Sequence, residues 1–328
     1  MGLSWRASHF NLKIRRRTMA VRMKGKSLAS LKDLTREEIE EILKTSELLK
    51  LQMLRGQDHP LLKGKTLAMI FEKPSTRTRV SFEVGMWQLG GYALYLSAGD
   101  LQLGRGETIG DTAQTLSRYV DGMMARVFSH QTILDLIEYS RVPVINGLSD
   151  FSHPCQALAD LFTIYEKKGR LSGLRLAYVG DGNNVAHSLL YGCSKMAMNI
   201  TVASPKGYQP HPEVVAYAKD EAKRNGSEVK LTEDPFEAVK GADILYTDVW
   251  ASMGKEKERE ERVKVFQPYQ VNPRLIKQAK EDCLFMHCLP AHRGEEVTDE
   301  VADSPNSVIF DQAENRLHTQ KALLALIL

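Results

Sequence analysis

Hydroxyl and guanidinium side chains crowd into one short segment that could bind an anion. Residues 75–79 have the sequence Ser-Thr-Arg-Thr-Arg; they follow an apolar run at residues 66–71, typical of a buried strand, and precede a helical pattern at residues 80–89. The first N–H groups of such a helix have no internal partner, and guanidinium groups match phosphate or carboxylate in geometry. The segment therefore predicts an oxyanion site; the alternative is a capped helix with solvated arginines.

Later segments place further reactive side chains at the ends of predicted elements. His153 opens a predicted helix, where its imidazole could donate to a carbonyl oxygen, and Gln156 lies in the first turn. Asp248 and Ser252 follow one predicted strand and Cys288 follows another, which places them at the carboxyl edge of a sheet, where ligands of α/β proteins bind. The structural alternatives are a core histidine, a helix-capping aspartate and a buried thiol.

A pair of glycines after a predicted strand invites comparison with dinucleotide-binding proteins. Residues 180–182 are Gly-Asp-Gly, but Val185 stands where that fingerprint requires a third glycine, and Ser-Pro at 204–205 replaces the expected acidic residue. The pattern therefore disfavours a nicotinamide-dependent oxidoreductase. Asn183 and Asn184, at the start of the next helix, would instead hold polar groups of a small ligand.

Strands alternate with helices in a pattern that predicts two parallel α/β domains. Strands are predicted at residues 66–71, 92–96, 123–127, 142–146, 174–179, 200–203, 229–231, 244–247, 284–286 and 308–310. A capping box at Thr35 and Glu38 opens a helix that ends near residue 54, and a closing helix is predicted from residue 313. We predict a basic extension at residues 1–26, a first domain at 27–153, a second at 154–311, and a C-terminal helix at 312–328 that returns to the first domain.

Composition narrows the class of protein. The chain has 328 residues, 43% hydrophobic and 26% charged, with no run near the roughly 20 apolar residues that span a bilayer, so it predicts a soluble protein with two cores and no membrane partner. Its four cysteines form no C-x-x-C pair, and its histidines lack ligand-like spacing, so we expect neither disulfides nor a metal site. A net charge of +3 is too small to indicate nucleic-acid binding.

The N-terminal segment is basic and separate from this pattern. Residues 1–32 hold nine Lys or Arg and no acidic residue. We favour an extended start, with Met19 or Met23 as internal starts, in a cytoplasmic protein; an organellar transit peptide or a disordered arm is the alternative.

Taken in order and spacing, four motifs resemble the aspartate/ornithine carbamoyltransferase family, and the likeness runs from about Leu28 to the C-terminus. They lie at residues 75–79, 153–156, 248–254 and 287–290. The resemblance implies transfer of a carbamoyl group from carbamoyl phosphate to an amine, without a cofactor or a metal. Ser-Met-Gly at 252–254, together with His-Cys-Leu-Pro at 287–290, favours ornithine over aspartate as the acceptor, with citrulline as the product. Putrescine and N-acetylornithine are the alternative acceptors.

The same resemblance assigns the first domain to carbamoyl phosphate. Its contacts would come from Ser75, Thr76, Arg77, Thr78, Gln102, Arg126, His153, Gln156 and Arg316. Thr78, Arg126 and His153 would polarise the carbamoyl oxygen, and Gln156 would hold the amide end. Gln102 resembles a contact that neighbouring subunits share, which implies a homotrimer or a multiple of trimers.

The second domain would bind ornithine through Asn184, Asp248, Ser252, Met253, Cys288 and Leu289. Asp248 matches the partner of the α-ammonium group, and Cys288 lies beside the reacting amine. We expect Cys288 to act in catalysis with Arg126 and His153 and to accept the proton of that amine; a phosphate oxygen is the alternative acceptor. The resemblance also makes the Leu289–Pro290 bond a candidate for the cis form.

Overall fold

The predicted strands assemble into two parallel sheets in the computed structural model, which describes residues 21–99, 101, 106–251 and 258–328. Within those residues, every strand pair of both sheets is parallel. The prediction of two parallel α/β domains is therefore confirmed. Three residues assigned to the site from the sequence lie outside the described residues: Gln102, Ser252 and Met253.

The first sheet has four strands in the order β2-β1-β3-β4. These strands are β1 (Thr66–Phe71), β2 (Tyr92–Ser97), β3 (Gly122–Arg126) and β4 (Val144–Leu148). β1 is central and packs on both faces: Leu67 and Met69 join one apolar cluster, and Ala68 and Ile70 join another. A strand covered on both sides needs a continuous apolar run, which is the pattern that made β1 recognisable in the sequence.

The second sheet has five strands in the order β7-β6-β5-β8-β9. These strands are β5 (Arg175–Val179), β6 (Asn199–Ala203), β7 (Val229–Thr232), β8 (Ile244–Thr247) and β9 (Leu284–His287). Its central strand β5 again divides its side chains between two apolar clusters, with Tyr178 in one and Val179 in the other.

Helices connect these strands and cover the sheets. They are α1 (Arg36–Leu54), α2 (Thr76–Gln88), α3 (Ile109–Leu116), α4 (His130–Tyr139), α5 (Pro154–Lys168), α6 (Asn184–Lys195), α7 (Pro212–Asn225), α8 (Pro235–Val239), α9 (Arg259–Phe266), α10 (Pro273–Ile276), α11 (Asp299–Ala302) and α12 (Ile309–Ile327). The capping box before α1 is present, because the Thr35 and Glu38 side chains each accept the other's backbone N–H. Across the described residues, no helix combines the length and the apolar character needed to cross a membrane.

The last helix, α12, belongs to both halves of the molecule. It begins beside β9 and packs against α1, α2 and α5, which confirms a C-terminal helix that returns to the first domain. The strand predicted at residues 308–310 is wrong, because α12 starts at Ile309. Val308 N–H still donates to the carbonyl of Phe285 in β9 (3.0 Å), so the chain runs beside the sheet for a short distance before the helix begins.

The described part of the N-terminal segment is packed against the first domain. Met23 is buried, and the N–H of Gly25 donates to the carbonyl of Ile327 in α12 (2.8 Å). Lys26 pairs with Glu38 at 2.7 Å. Residues 23–26, which lie inside the predicted basic extension, therefore already contribute to the fold.

Candidate active site

A cavity of about 1340 Å³ opens where the carboxyl ends of the two sheets face each other. In each sheet it adjoins the strand pair, β1–β3 or β5–β8, at which the strand order reverses, which is where open parallel sheets bind ligands. Residues predicted from the sequence that line it are Ser75, Arg77, Thr78, Arg126, His153, Asn184, Asp248, Cys288, Leu289 and Arg316. Thr76 and Gln156 do not line it; Thr76 begins α2, and Gln156 contacts Arg316.

The N-terminus of α2 faces the cavity. Ser75 is its N-cap, and the Ser75 hydroxyl accepts a hydrogen bond from the N–H of Thr78 (3.3 Å). This cap holds the first turn of α2 in place, so that its remaining N–H groups and its dipole favour an anion. Arg77, in the same turn, donates to the carbonyl of Leu289 (2.6 Å) and so joins the two sides of the cavity.

Three guanidinium groups, those of Arg77, Arg126 and Arg316, converge on this side of the cavity. No carboxylate of the described residues lies within 4.0 Å of them. Burial, together with the like charges of Arg316 and Arg77, lowers the pKa of Arg126 to about 10. Like charges held together without a counter-ion are unfavourable until an anion arrives, and a doubly charged phosphate fits this need.

His153 adds a neutral polar group to the same side. Its backbone N–H donates to the Ser188 hydroxyl (2.8 Å), which fixes the entry to α5. Burial, followed by the charges of three nearby arginines, holds the pKa of His153 well below its usual value. The imidazole is therefore neutral, and its buried Nδ1 has no hydrogen-bond partner within the described residues. A buried ring nitrogen without a hydrogen-bond partner costs free energy unless a ligand supplies that partner.

On the other side, Asp248 follows β8 and is held from two directions. Its Oδ2 accepts from the Asn183 side chain (2.8 Å), and its Oδ1 accepts from the Cys288 thiol (2.9 Å). Asn183 is the N-cap of α6, so the start of that helix aims the Asp248 carboxylate. Sequence reasoning assigned Asn184 to the ornithine site and missed this role of Asn183. The Asn184 side chain donates to the carbonyl of Ser149 (2.7 Å), on the first domain.

Cys288 lies directly after β9 as a protonated thiol. Burial and the negative charge of Asp248 raise its pKa well above the usual value. The preceding His287 is committed to the fold, because its Nδ1 accepts from the N–H of Leu289 (2.8 Å) and its Nε2 contacts Glu296 (3.1 Å). The Leu289–Pro290 bond is cis, as the resemblance implied.

Two groups of side chains bring ligand-type atoms within 4.8 Å of one another in the described part of the chain. In the first, Asp248 and Cys288 accompany His287, but both ring nitrogens of His287 are already used. In the second, His292 lies beside Glu295 and Glu296, and Glu295 is paired with Arg259. Neither group offers three uncommitted ligands, so we assign no metal-binding residues.

The second glycine of the β5–α6 turn, Gly182, has a packing explanation. A Cβ at Gly182 would lie 2.2 Å from the backbone nitrogen of Pro210, and the Gly182 N–H donates to the carbonyl of Tyr208 (2.8 Å). Glycine is required here because another loop approaches the turn closely. Lys73, which also lines the cavity, was not assigned from the sequence; its ammonium lies 4.1 Å from the centre of the Phe128 ring.

Comparison with known proteins places these features in one family. The carbamoyl-P binding domain of the aspartate/ornithine carbamoyltransferases matches residues 26–166, and their Asp/Orn binding domain matches residues 172–327. Similar relatives include the ornithine carbamoyltransferase of Thermococcus kodakarensis, 64% identical over 94% of this chain and 98% of the relative. That of Anoxybacillus flavithermus is 58% identical over 95% of this chain and 99% of the relative.

Solved structures agree with this assignment. The ornithine carbamoyltransferase of Pyrococcus furiosus superposes with a TM-score of 0.92 at 62% identity, covering 94% of this chain and 98% of that one. The enzyme from Gloeobacter violaceus gives a TM-score of 0.83 at 48% identity, covering 94% and 99%. Both domain matches and these full-length likenesses confirm the resemblance seen in the four motifs, and the chain belongs to the aspartate/ornithine carbamoyltransferase family.

Proposed function

We propose that the protein transfers the carbamoyl group of carbamoyl phosphate to the δ-amine of L-ornithine, giving L-citrulline and phosphate in arginine metabolism. The observation that carries this proposal is the composition of the cavity. Three guanidinium groups that have no carboxylate partner among the described residues lie on one side, and the Asp248 carboxylate lies on the other. A phosphorylated, anionic donor and an amino acid with a free ammonium group match these two sides in charge.

Carbamoyl phosphate would bind with its phosphate at the N-terminus of α2. Ser75, Thr76 and Arg77 come from that turn, and Arg316 reaches it from α12, where its guanidinium donates to the Thr78 hydroxyl (3.2 Å). The carbamoyl oxygen would face Thr78, Arg126 and His153; Nε of Arg126 and Nδ1 of His153 are buried and have no hydrogen-bond partner within the described residues. Gln156, with its side-chain oxygen already turned toward Arg316 (2.7 Å), would hold the amide end.

Ornithine would enter from the second domain. Asp248 would pair with its α-ammonium group, with Asn184, Ser252 and Met253 as further contacts, and Cys288 and Leu289 would lie beside the δ-amine. The α-ammonium assignment rests on the position of Asp248, which is aimed into the cavity by Asn183.

The reaction then depends mainly on the positions of the two substrates and on donors that stabilise negative charge. The neutral δ-amine attacks the carbamoyl carbon, negative charge develops on the carbonyl oxygen, and the bond to the leaving phosphate breaks. Arg126, His153 and Thr78 stabilise the first charge, and Arg77 and Arg316 stabilise the second. Because these donors are already in place, they lower the barrier without reorganising, and holding both substrates in line contributes further.

The raised pKa of Cys288 bears on where the amine proton goes. A thiol that stays protonated and donates to Asp248 cannot accept a proton at rest, so the thiol is disfavoured as the base. We propose that an oxygen of the leaving phosphate takes the proton and that Cys288 positions Asp248.

Replacing Cys288 with serine tests this choice. Serine keeps a donor for Asp248, so we expect kcat to fall by less than about tenfold, whereas loss of a general base costs about 10²–10⁴-fold. Steady-state rates of citrulline formation from pH 6 to pH 10 provide the measurement. A fall in kcat of about 10²–10⁴-fold would instead show that the Cys288 thiol acts as the base.

An acceptor assay tests the proposed function directly. With carbamoyl phosphate as donor, we expect carbamoylated product from L-ornithine and at least about 10³-fold lower kcat/KM with the other three amines. Aspartate has a carboxylate in place of the side-chain amine, putrescine lacks the α-carboxylate, and N-acetylornithine has no α-ammonium charge for Asp248 to bind. Faster turnover of any of the other three would reassign the acceptor while leaving the carbamoyl phosphate side unchanged.

We also propose the organisation around this site. Residues 27–153 would bind carbamoyl phosphate and residues 154–311 ornithine. Subunits would form a homotrimer, or a multiple of trimers, in which Gln102 completes a neighbouring site, and the protein would act in the cytoplasm. Analytical ultracentrifugation of the full chain gives the subunit number, and a monomer with full activity would contradict the shared site.

A further inference from the structure

Behind the cavity, a buried carboxylate joins its two sides. Asp160, on α5, is fully buried, and its Oδ1 accepts from the side-chain amides of both Gln156 and Gln312, each at 2.8 Å. The oxygen of Gln156 accepts from Arg316 (2.7 Å), and the oxygen of Gln312 accepts from the backbone N–H of His287 (3.0 Å). The chain of contacts therefore runs from the phosphate-binding arginines to the end of β9, where Cys288 follows.

The direction of both amides depends on Asp160. An ionised carboxylate can only accept hydrogen bonds, so each glutamine must turn its NH₂ group toward Asp160 and its oxygen away. The oxygen of Gln156 then faces Arg316, which lines the cavity, and the oxygen of Gln312 accepts from the backbone N–H at the end of β9. A charged acceptor makes these bonds stronger than a neutral one would.

We propose that Asp160 is a positioning residue for both half-sites, which sets the orientation of Gln156 toward carbamoyl phosphate and, through Gln312, holds the end of β9. This inference rests on the proposed function for the identity of the ligand. It adds a residue that touches neither substrate and that the four sequence motifs do not assign.

The surroundings of Asp160 make its ionisation sensitive to pH near neutrality. Burial raises the pKa of Asp160 to about 7, against the hydrogen bonds from Gln156, Gln312 and Tyr246. The charged and titratable groups that face it are Arg316 from α12, Tyr246 from β8, Cys193 from α6 and Cys288 after β9. Burial raises the pKa of Tyr246 and of both cysteines, so these three stay neutral, and of the described groups that face one another here only Asp160 changes charge between pH 6 and pH 8.

The sign of the pH effect follows. Above about pH 7 the carboxylate is ionised and orients both amides; as the pH falls through 7 it is protonated and this orientation weakens. Asp160→Asn has nearly the same shape and imitates the protonated form at every pH. Asp160→Ala removes the acceptor altogether.

Binding of carbamoyl phosphate, measured by isothermal titration calorimetry without ornithine, tests the proposal. At pH 8 we expect Asp160→Asn to bind about tenfold more weakly than the wild type, and Asp160→Ala about 100-fold more weakly, from the usual difference between charged, neutral and absent acceptors. The pH dependence is read from the Kd of Asp160→Asn divided by the Kd of the wild type, because protonation of the ligand affects both values equally and cancels. For a group with a pKa of about 7, this ratio should fall from about tenfold at pH 8 to about twofold at pH 6.

Thr163→Val is the matched control. Thr163 lies one turn further along α5, is equally buried and accepts from Asn315 (2.9 Å), so its loss disturbs the same helix without touching Gln156. We expect its Kd to stay within about threefold of the wild type at both pH values.

The proposal would be overturned if the ratio of the two Kd values did not change with pH, or if Asp160→Ala bound carbamoyl phosphate as tightly as the wild type. If Asp160→Ala does not fold, the nearly isosteric Asp160→Asn still decides the question. A wild-type enzyme that carbamoylates no ornithine would refute the proposed function, while the binding ratio would still report on Asp160.

Discussion

Replacing Arg77 with alanine should reduce kcat/KM for carbamoyl phosphate by about 10²–10³-fold or more, the effect of removing one preorganised donor to a developing charge. Arg77 is one of three guanidinium groups without a carboxylate partner within the described residues, and it also donates across the cavity to Leu289 (2.6 Å). Loss of its side chain therefore removes both a phosphate contact and a bond that joins the two sides. Steady-state kinetics with saturating ornithine provide the measurement.

The folded stability of Arg77→Ala should not show a comparable loss. Arg77 adds to the positive charge that lowers the pKa of Arg126, so its removal relieves repulsion, while the lost bond to Leu289 acts in the other direction. We therefore expect the melting temperature of the free enzyme to change by no more than a few degrees. Arg36→Ala, which removes a half-buried arginine paired with Glu40 on α1, is the control and should leave kcat/KM unchanged. Normal turnover of carbamoyl phosphate by Arg77→Ala would refute the assignment of the phosphate site.

Replacing Asp248 with asparagine should instead affect ornithine. The change keeps the shape of the side chain but removes the charge that we assign to the α-ammonium group, so we expect KM for ornithine to rise by about 30-fold to several thousand-fold, the usual cost of breaking a buried charge pair. Binding of carbamoyl phosphate should stay within threefold of wild type, since Asp248 lies on the other side of the cavity. Kinetics with each substrate varied in turn separate the two effects.

A chemical readout accompanies this variant. The charge of Asp248 helps to raise the pKa of Cys288, so Asp248→Asn should lower that pKa and speed alkylation of the thiol by iodoacetamide. Asp282→Asn, an exposed aspartate paired with Lys168 in the same domain, is the control for both measurements. An unchanged KM for ornithine would show that another group holds the α-ammonium.

The parts of the site that could be predicted from the sequence are those built by local pattern and by parallel topology. The apolar run of β1, the turn at Ser75 and the start of α2 are contiguous, so their order alone indicates an anion site. Asp248 and Cys288 were recognisable because each follows a strand, and parallel strands bring their carboxyl ends to one edge of a sheet.

The parts that could not be predicted depend on contacts between distant residues. Asp160 accepts hydrogen bonds from Gln156 and Gln312, which lie on different helices. No short-range pattern in the sequence distinguishes Asp160 from the other residues on the buried face of α5. The role of Asn183 was missed because its neighbour Asn184 has the same side chain and only the three-dimensional positions separate them. The strand predicted at residues 308–310 failed because Val-Ile-Phe suits a strand locally, while the long helix that follows begins at Ile309 and includes the last two of these residues.

The course of α12 has a consequence for how the protein is made. Arg316 lies after both sheets in the chain, yet it reaches back to Thr78 and Gln156 in the first half. During synthesis, a nascent chain could complete the first sheet, and even the second, long before Arg316 leaves the ribosome. The anion site would therefore be assembled only in the final stage of translation. A product cut short before α12 would keep every strand of both sheets and still lack Arg316, one of the arginines that we propose to bind phosphate. On that proposal, carbamoyl phosphate would stabilise the complete fold more than the shortened one.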